Sequence, residues 1–140
     1  MMLGNTKRVS CFSSLKSKGI RGMKISYTVL GTNNLDAGTT FYNSLFEGMG
    51  SCQSFRTDRM NFWQFENFSF ALAIPFNEEP ATNGNGTMIG FDVETEDEVK
   101  RLYAKAIELG GSCDGEPSEK GPRFSGYVRD LDNNKLCFFK

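Results

Sequence analysis

One pattern of secondary-structure signals occurs twice in this chain. In each copy, a strand-like segment is followed by an amphipathic helical segment and then by three further short strand-like segments. A shift of 61 residues superposes Tyr42 on Tyr103 and Gly50-Ser51-Cys52 on Gly111-Ser112-Cys113. Two β-α-β-β-β copies predict an α+β fold made of two curved half-shells of sheet, each with one helix on its outer face.

The local signals place the elements of each copy. Asn33 or Asn34 is the expected N-cap of the first helix, with Asp36 in its first turn, where the helix dipole favours negative charge. Thr95 and Glu98 form the sequence of a capping box before the second helix. The predicted strands are 24–31, 51–56, 60–65 and 68–74 in the first module (about 23–76) and 87–94, 112–116, 124–130 and 135–140 in the second (about 86–140).

The first 22 residues differ from the rest of the chain. They carry five basic and no acidic side chains, and their apolar residues are too scattered for the core of a signal peptide. We expect either a disordered basic extension or a start assigned upstream of the true one, with Met23 opening a single domain over 23–140. An organellar transit peptide is the alternative.

Composition excludes several classes of function. The chain contains no histidine, so catalytic triads and histidine-ligated metal sites are ruled out. Its four cysteines form no CxxC pair, which argues against a zinc cage and favours a reducing cytoplasm. A formal net charge of −1 gives no reason to expect nucleic acid or an anionic membrane as partner. No apolar run is long enough to span a bilayer.

Strand alternation predicts which side chains line a cleft. In 87–94, Ile89 and Phe91 face the helix, so Met88 points inward. The shift of 61 makes Tyr27 the counterpart of Met88, and Cys137 points inward from the last strand. We therefore expect Tyr27, Met88 and Cys137 to converge in one hollow.

Residues 23–140 resemble the glyoxalase/bleomycin-resistance/extradiol-dioxygenase superfamily, whose fold is called vicinal oxygen chelate, and in particular its short glyoxalase-like members. The resemblance is carried by ISYTVLGTNNLDAGTTFYNSLF, PATNGNGTMIGFDV and YVRDLDNNKLCFF, in that order. It implies two modules forming a curved half-barrel around an internal cleft, and a homodimer.

Metal-using members of this superfamily carry patterns similar to I-x-H, G-N-G-T-H and N-K-L-E. Their ligand positions match Tyr27, Met88 and Cys137 in this sequence. A phenol, a thioether and a thiol are poor ligands for the hard divalent ions of the family mechanism. The sequence therefore predicts a degenerate metal site, no metal ligands and no cofactor.

Three further residues are candidates for lining the cleft. Trp63 can either pack in the core or stack on a flat ligand. Tyr127 and Arg129 share one strand face if Val128 is packed. Arg129 can then clamp a carboxylate, lie at a solvated edge or pair with Asp130 or Asp132. Cys137 is either a thiol of low pKa beside Lys135 or an inert, half-buried cysteine. The predicted ligand-binding set is Tyr27, Trp63, Met88, Tyr127, Arg129 and Cys137, and no catalytic residue is assigned.

Three functions fit the sequence. The first is a binding protein that holds a small, partly aromatic molecule in its cleft without a metal, as bleomycin-resistance proteins sequester their ligand. The second is a glyoxalase-type lyase, isomerase or dioxygenase with unusual divalent-metal ligands. The third is a dimeric interaction module without catalytic activity.

Overall fold

A computed structural model describes residues 19–140. Most of the predicted N-terminal extension, residues 1–18, lies outside the described residues. Within 19–140 no helix is both long and apolar enough to cross a bilayer. The elements are β1 Tyr27–Gly31, α1 Leu35–Leu45, β2 Cys52–Arg56, β3 Met60–Gln64, β4 Ser69–Ala73, β5 Ile89–Asp92, α2 Glu96–Glu108, β6 Ser112–Lys120, β7 Arg123–Arg129 and β8 Lys135–Phe139.

The predicted two-module α+β architecture is confirmed. The first sheet has the strand order β1-β4-β3-β2 and the second has the order β5-β8-β7-β6. In each sheet the opening strand pairs in parallel with the last strand of its module, and the other pairings are antiparallel. The helix of each module supplies the long crossover that the parallel pair needs.

Both helices begin at the predicted caps. The side chain of Asn34 accepts a hydrogen bond from the Ala37 amide at 3.0 Å, and that of Thr95 accepts one from the Glu98 amide at 3.1 Å. The second half of the predicted capping box does not form, because the Glu98 carboxylate accepts from the Arg101 guanidinium instead, at 2.7 and 2.8 Å. This pairing lowers the pKa of Glu98.

Strand β6 is longer than the sequence predicts. It continues past 116 to Lys120, and its register against β7 shifts on both sides of Gly115. Pro117 is compatible with this because β6 lies at the edge of the sheet, where a missing N–H is tolerated. The extension matters for the site, because it brings Lys120 opposite Arg123.

The two modules share one core, formed where the helix-facing sides of both sheets meet. The ring centroid of Phe91 on β5 lies 6.1 Å from that of Phe70 on β4 and 5.9 Å from that of Phe46, which caps α1. Leu136 and Phe138 on β8 are buried against the same cluster, as the alternation predicts. The core therefore fixes the two sheets relative to each other.

A buried polar contact also joins the modules. The Tyr42 hydroxyl in α1 donates to the Asp130 carboxyl group, in the turn between β7 and β8, at 2.6 Å. Burial, with a further contribution from Asp130, raises the pKa of Tyr42 well above the usual value for a phenol. Tyr42 therefore remains a hydrogen-bond donor at neutral pH.

Candidate functional site

Each sheet has one face that its helix does not cover. We define the open face of the second sheet by five side chains from the last three strands that share this face: Lys120, Arg123, Tyr127, Cys137 and Phe139. Tyr127 lies directly opposite Cys137 across β7 and β8.

Positive charges lie over aromatic rings on this open face. The Lys120 ammonium lies 4.5 Å from the centroid of the Tyr127 ring, and the Arg123 guanidinium lies 4.5 Å from that of Phe139. Both are cation–π distances. Within residues 19–140 neither cation forms a salt bridge. Two cations without an acidic partner therefore frame two half-buried rings.

Gly115 makes the position of Lys120 possible. It has a φ of +149°, and a Cβ atom there would lie 2.9 Å from Cδ2 of Tyr127 and 3.0 Å from the Lys120 ammonium nitrogen. Both distances are shorter than ordinary contacts, so a larger residue would displace the ring or the cation.

A second pair of cations on the same sheet is neutralised. Arg129 and Lys135 both contact the Asp114 carboxylate, at 3.0 and 3.1 Å. Lys135, followed by Arg129, lowers the pKa of Asp114. The prediction that Arg129 pairs with Asp130 or Asp132 is therefore wrong. The pairing of β6 with β7 places Asp114 beside Arg129 instead. Arg129 is engaged within the protein and is not a free carboxylate clamp in this state.

Cys137 has the properties of an inert thiol. It is buried, and burial raises its pKa despite the opposing effects of hydrogen bonding to Ser125 and Tyr127 and of the Arg123 and Lys120 charges. The sequence left two alternatives for Cys137, a reactive thiolate and an inert, half-buried cysteine. This arrangement favours the inert cysteine.

The open face of the first sheet is apolar. Tyr27, Val29 and Phe55 are 60%, 43% and 54% exposed. The ring of Phe62 lies between those of Tyr27 and Phe55, at centroid distances of 6.1 and 5.7 Å. We call Tyr27, Val29, Phe55 and Phe62 the apolar face.

Trp63 does not lie on either open face. Its indole nitrogen donates to the Asn43 side chain of α1 at 2.8 Å, and its ring packs against Phe70 in the core at a centroid distance of 6.0 Å. The expectation that Trp63 lines the cleft is corrected, because β3 turns its odd-numbered residues toward the helix.

The three side chains expected to converge lie in different environments. Tyr27 packs on Phe62 in the first sheet, whereas Cys137 lies beside Tyr127 in the second. Met88 immediately precedes β5 and is the only one of the three that lines a cavity between the two modules. The sequence did not indicate Lys120 and Arg123, which lie on the same face as Tyr127.

That cavity lies between the modules and has a volume of about 460 Å³. Its walls come from the beginning of β1, the end of α1, the β3–β4 turn, α2 and strands β5 and β8. Most of the wall residues are apolar: Ile25, Thr28, Phe46, Met49, Phe65, Phe68, Met88, Ile89, Gly90, Phe91, Asp92, Val93, Leu102 and Phe138.

Comparison with known families identifies this architecture. The family model of the Glyoxalase/Bleomycin resistance protein/Dioxygenase superfamily matches residues 24–138. The chain belongs to this superfamily. Among proteins of curated function, the comparison finds no match.

Solved structures of the superfamily share the fold. A glyoxalase/bleomycin resistance protein from Albidiferax ferrireducens T118 is 28% identical, with a TM-score of 0.77 over 82% of this chain and 96% of that one. A glyoxalase/bleomycin resistance protein/dioxygenase family enzyme from Burkholderia phytofirmans PsJN is 19% identical, with a TM-score of 0.71 over 84% and 98% of the two chains. A lactoylglutathione lyase from Agrobacterium tumefaciens is 19% identical, with a TM-score of 0.65 over 85% and 94%.

The three residues that the resemblance matches to metal ligands are chemically poor ligands for a hard divalent ion. Tyr27 offers a phenol, Met88 a thioether and Cys137 a thiol whose pKa is raised by burial. Within residues 19–140 no three His, Cys, Asp or Glu side chains lie close enough to share an ion.

Proposed function

We propose that this superfamily member binds a small anion carrying a flat aromatic ring, on the open face of the second sheet. The observation that supports the proposal is the pair of cations, Lys120 and Arg123, held over Tyr127 and Phe139 without an acidic partner. The proposal refines the prediction of a small, partly aromatic ligand bound without a metal.

The two components of the face suit the two parts of such a ligand. A carboxylate or phosphate group accepts charge-assisted hydrogen bonds from lysine and arginine, and an aromatic ring contacts the half-buried side chains of Tyr127 and Phe139. Binding of this kind needs no proton transfer and no ionised Cys137. Sequestration is therefore the activity that we propose.

Isothermal titration with 2-naphthoate tests the proposal. We expect saturable 1:1 binding, weakened roughly tenfold by Lys120→Gln and by Arg123→Gln, because each substitution removes one charge-assisted contact. Acetate, which lacks the ring, should bind much more weakly. The matched control is Lys100→Gln, which removes a cation lying over Phe124 on the helix side of the same sheet and should leave binding unchanged.

Two results would contradict this proposal. One is binding of 2-naphthoate that Lys120→Gln and Arg123→Gln do not weaken. The other is stoichiometric binding of Mn²⁺, Ni²⁺ or Zn²⁺, with 2-naphthoate binding only when the metal is present. That result would favour the alternative of a metal-dependent glyoxalase-type lyase, isomerase or dioxygenase.

We also propose that the protein is a homodimer whose interface includes the apolar face. Three substantially exposed apolar side chains around Phe62 support this proposal, because monomeric proteins rarely leave a contiguous apolar patch uncovered. The proposal therefore combines the dimeric interaction module with ligand binding. The cytoplasmic location remains a prediction.

Sedimentation velocity tests the dimer. We expect a dimer for the full chain and a shift toward monomer for Val29→Lys, which places a charge in the centre of the apolar face. Lys24→Ala, at an exposed position outside that face, is the control. A wild-type chain that remains monomeric at high micromolar concentration would overturn the proposal.

A further inference from the structure

The cavity between the modules is separate from the open face of the second sheet. It lies on the helix-facing side of both sheets, where Phe91 of β5 and Phe138 of β8 form part of its wall. None of Lys120, Arg123 and Tyr127 lines it. A molecule bound there would make contacts different from those of a ligand on the open face.

The size and lining of the cavity suit a small organic molecule. Its volume of about 460 Å³ lies within the range of known ligand pockets, and its walls are dominated by phenylalanine, leucine, isoleucine and methionine side chains. Of the residues that line it, only Asp92 is charged, and no lysine or arginine is among them. An anion is therefore disfavoured, whereas a neutral apolar molecule is accommodated.

Thr28 adds a polar group to this wall. Its Oγ1 atom is buried and has no hydrogen-bond partner, a state shared within residues 19–140 only by Oδ1 of Asn61. A buried hydroxyl without a partner is unfavourable, and most buried polar groups in proteins are satisfied. Rotation about χ1 exchanges the hydroxyl and methyl group of threonine between staggered positions, so the wall can present this hydroxyl to an occupant.

We propose that the cavity is a second binding site, which takes a neutral, largely aromatic molecule carrying one hydroxyl or carbonyl group. The ring system fills the space beside Phe46 and Phe91, and the polar group pairs with the Thr28 hydroxyl. The inference is independent of the anion proposed for the open face, because the two sites share no side chain named for recognition.

Titration with 1-naphthol and with 1-fluoronaphthalene, which is similar in size but lacks the hydroxyl, tests this site. We expect 1-naphthol to bind the wild-type chain about five to ten times more tightly than 1-fluoronaphthalene, because one hydrogen bond is gained. Thr28→Val, which preserves shape, should abolish this difference. Thr82→Val, the same substitution at an exposed position that does not line the cavity, should preserve it.

Ile25→Trp provides a second variant that does not disturb the core. Ile25 is 80% exposed and lines the cavity, so a larger ring there should weaken the binding of both naphthalene compounds without unfolding the chain. The proposal is overturned if neither compound binds, or if binding is insensitive to both Thr28→Val and Ile25→Trp. It is also overturned if 1-naphthol binding is lost in Lys120→Gln and Arg123→Gln, because that result would locate it on the open face.

Discussion

Replacing Asp130 with alanine should lower the free energy of unfolding by about 3 kcal/mol. Asp130 is only 6% exposed and accepts four hydrogen bonds. The donors are the Tyr42 hydroxyl at 2.6 Å, the Asp132 amide at 2.9 Å, and the amide and side chain of Asn134 at 2.9 and 3.0 Å. Alanine would leave several of these donors buried without a partner, at the junction of the two modules. Urea unfolding followed by circular dichroism measures the loss.

Two further measurements make the Asp130→Ala result specific. Asp58→Ala, at an exposed position, should change the free energy of unfolding by less than about 0.5 kcal/mol. Spectrophotometric titration should show a lower pKa for Tyr42 in Asp130→Ala, because a neighbour that raises it is gone while burial remains. An Asp130→Ala protein as stable as the wild type would show that this contact does not hold the modules together.

Replacing Phe70 with alanine should lower the free energy of unfolding by about 4 kcal/mol. Phe70 is fully buried at the centre of the shared core, and its ring lies 4.6 Å from that of Tyr42, 5.3 Å from that of Phe46 and 6.1 Å from that of Phe91. Alanine removes the ring that touches both modules and leaves a void that rigid neighbours cannot fill.

The matched control for Phe70→Ala is Phe76→Ala, at a position that is 88% exposed. It should cost less than about 1 kcal/mol, because little apolar surface returns to water. Similar losses in the two variants, measured by the same urea unfolding, would argue against a core shared by the modules. Loss of cooperativity in Phe70→Ala alone would support it.

The fold could be predicted from sequence because its signals are local and repeated. Alternation assigned Ile89 and Phe91 to the helix-facing side, and both pack against the core. The caps at Asn34 and Thr95 were confirmed because each depends on a side chain and an amide three residues away. Such patterns need no knowledge of distant partners.

The candidate site could be predicted only in part, because it depends on long-range register. Tyr127 and Cys137 were each predicted to line the cleft, because alternation decides within one strand which side chains share a face, and they lie opposite each other across β7 and β8. Lys120 was missed because Gly115 and Pro117 end the strand-like pattern, whereas the register shifts against β7 let β6 continue. Trp63 was misplaced because nothing within its own segment determines which face of β3 meets α1.

The partner of Arg129 shows the same limit. Asp130 and Asp132 are its neighbours in sequence, but Asp114 reaches it across the sheet. Asp130 meanwhile is committed to Tyr42 in the other module. Pairing between strands and modules therefore decided these electrostatic contacts, and the spacing of charges along the chain did not reveal them.

The most direct test of anion binding is a map of the amide chemical shifts that change when 2-naphthoate is added to the full chain. We expect the largest shifts in β6, β7 and β8, around Lys120, Tyr127 and Phe139. We also expect the Lys120→Gln/Arg123→Gln variant to abolish these shifts at the same ligand concentration, and the amides around Thr28 to change little. Shifts centred on Thr28 and Phe91, or none at saturating 2-naphthoate, would contradict the anion-binding proposal.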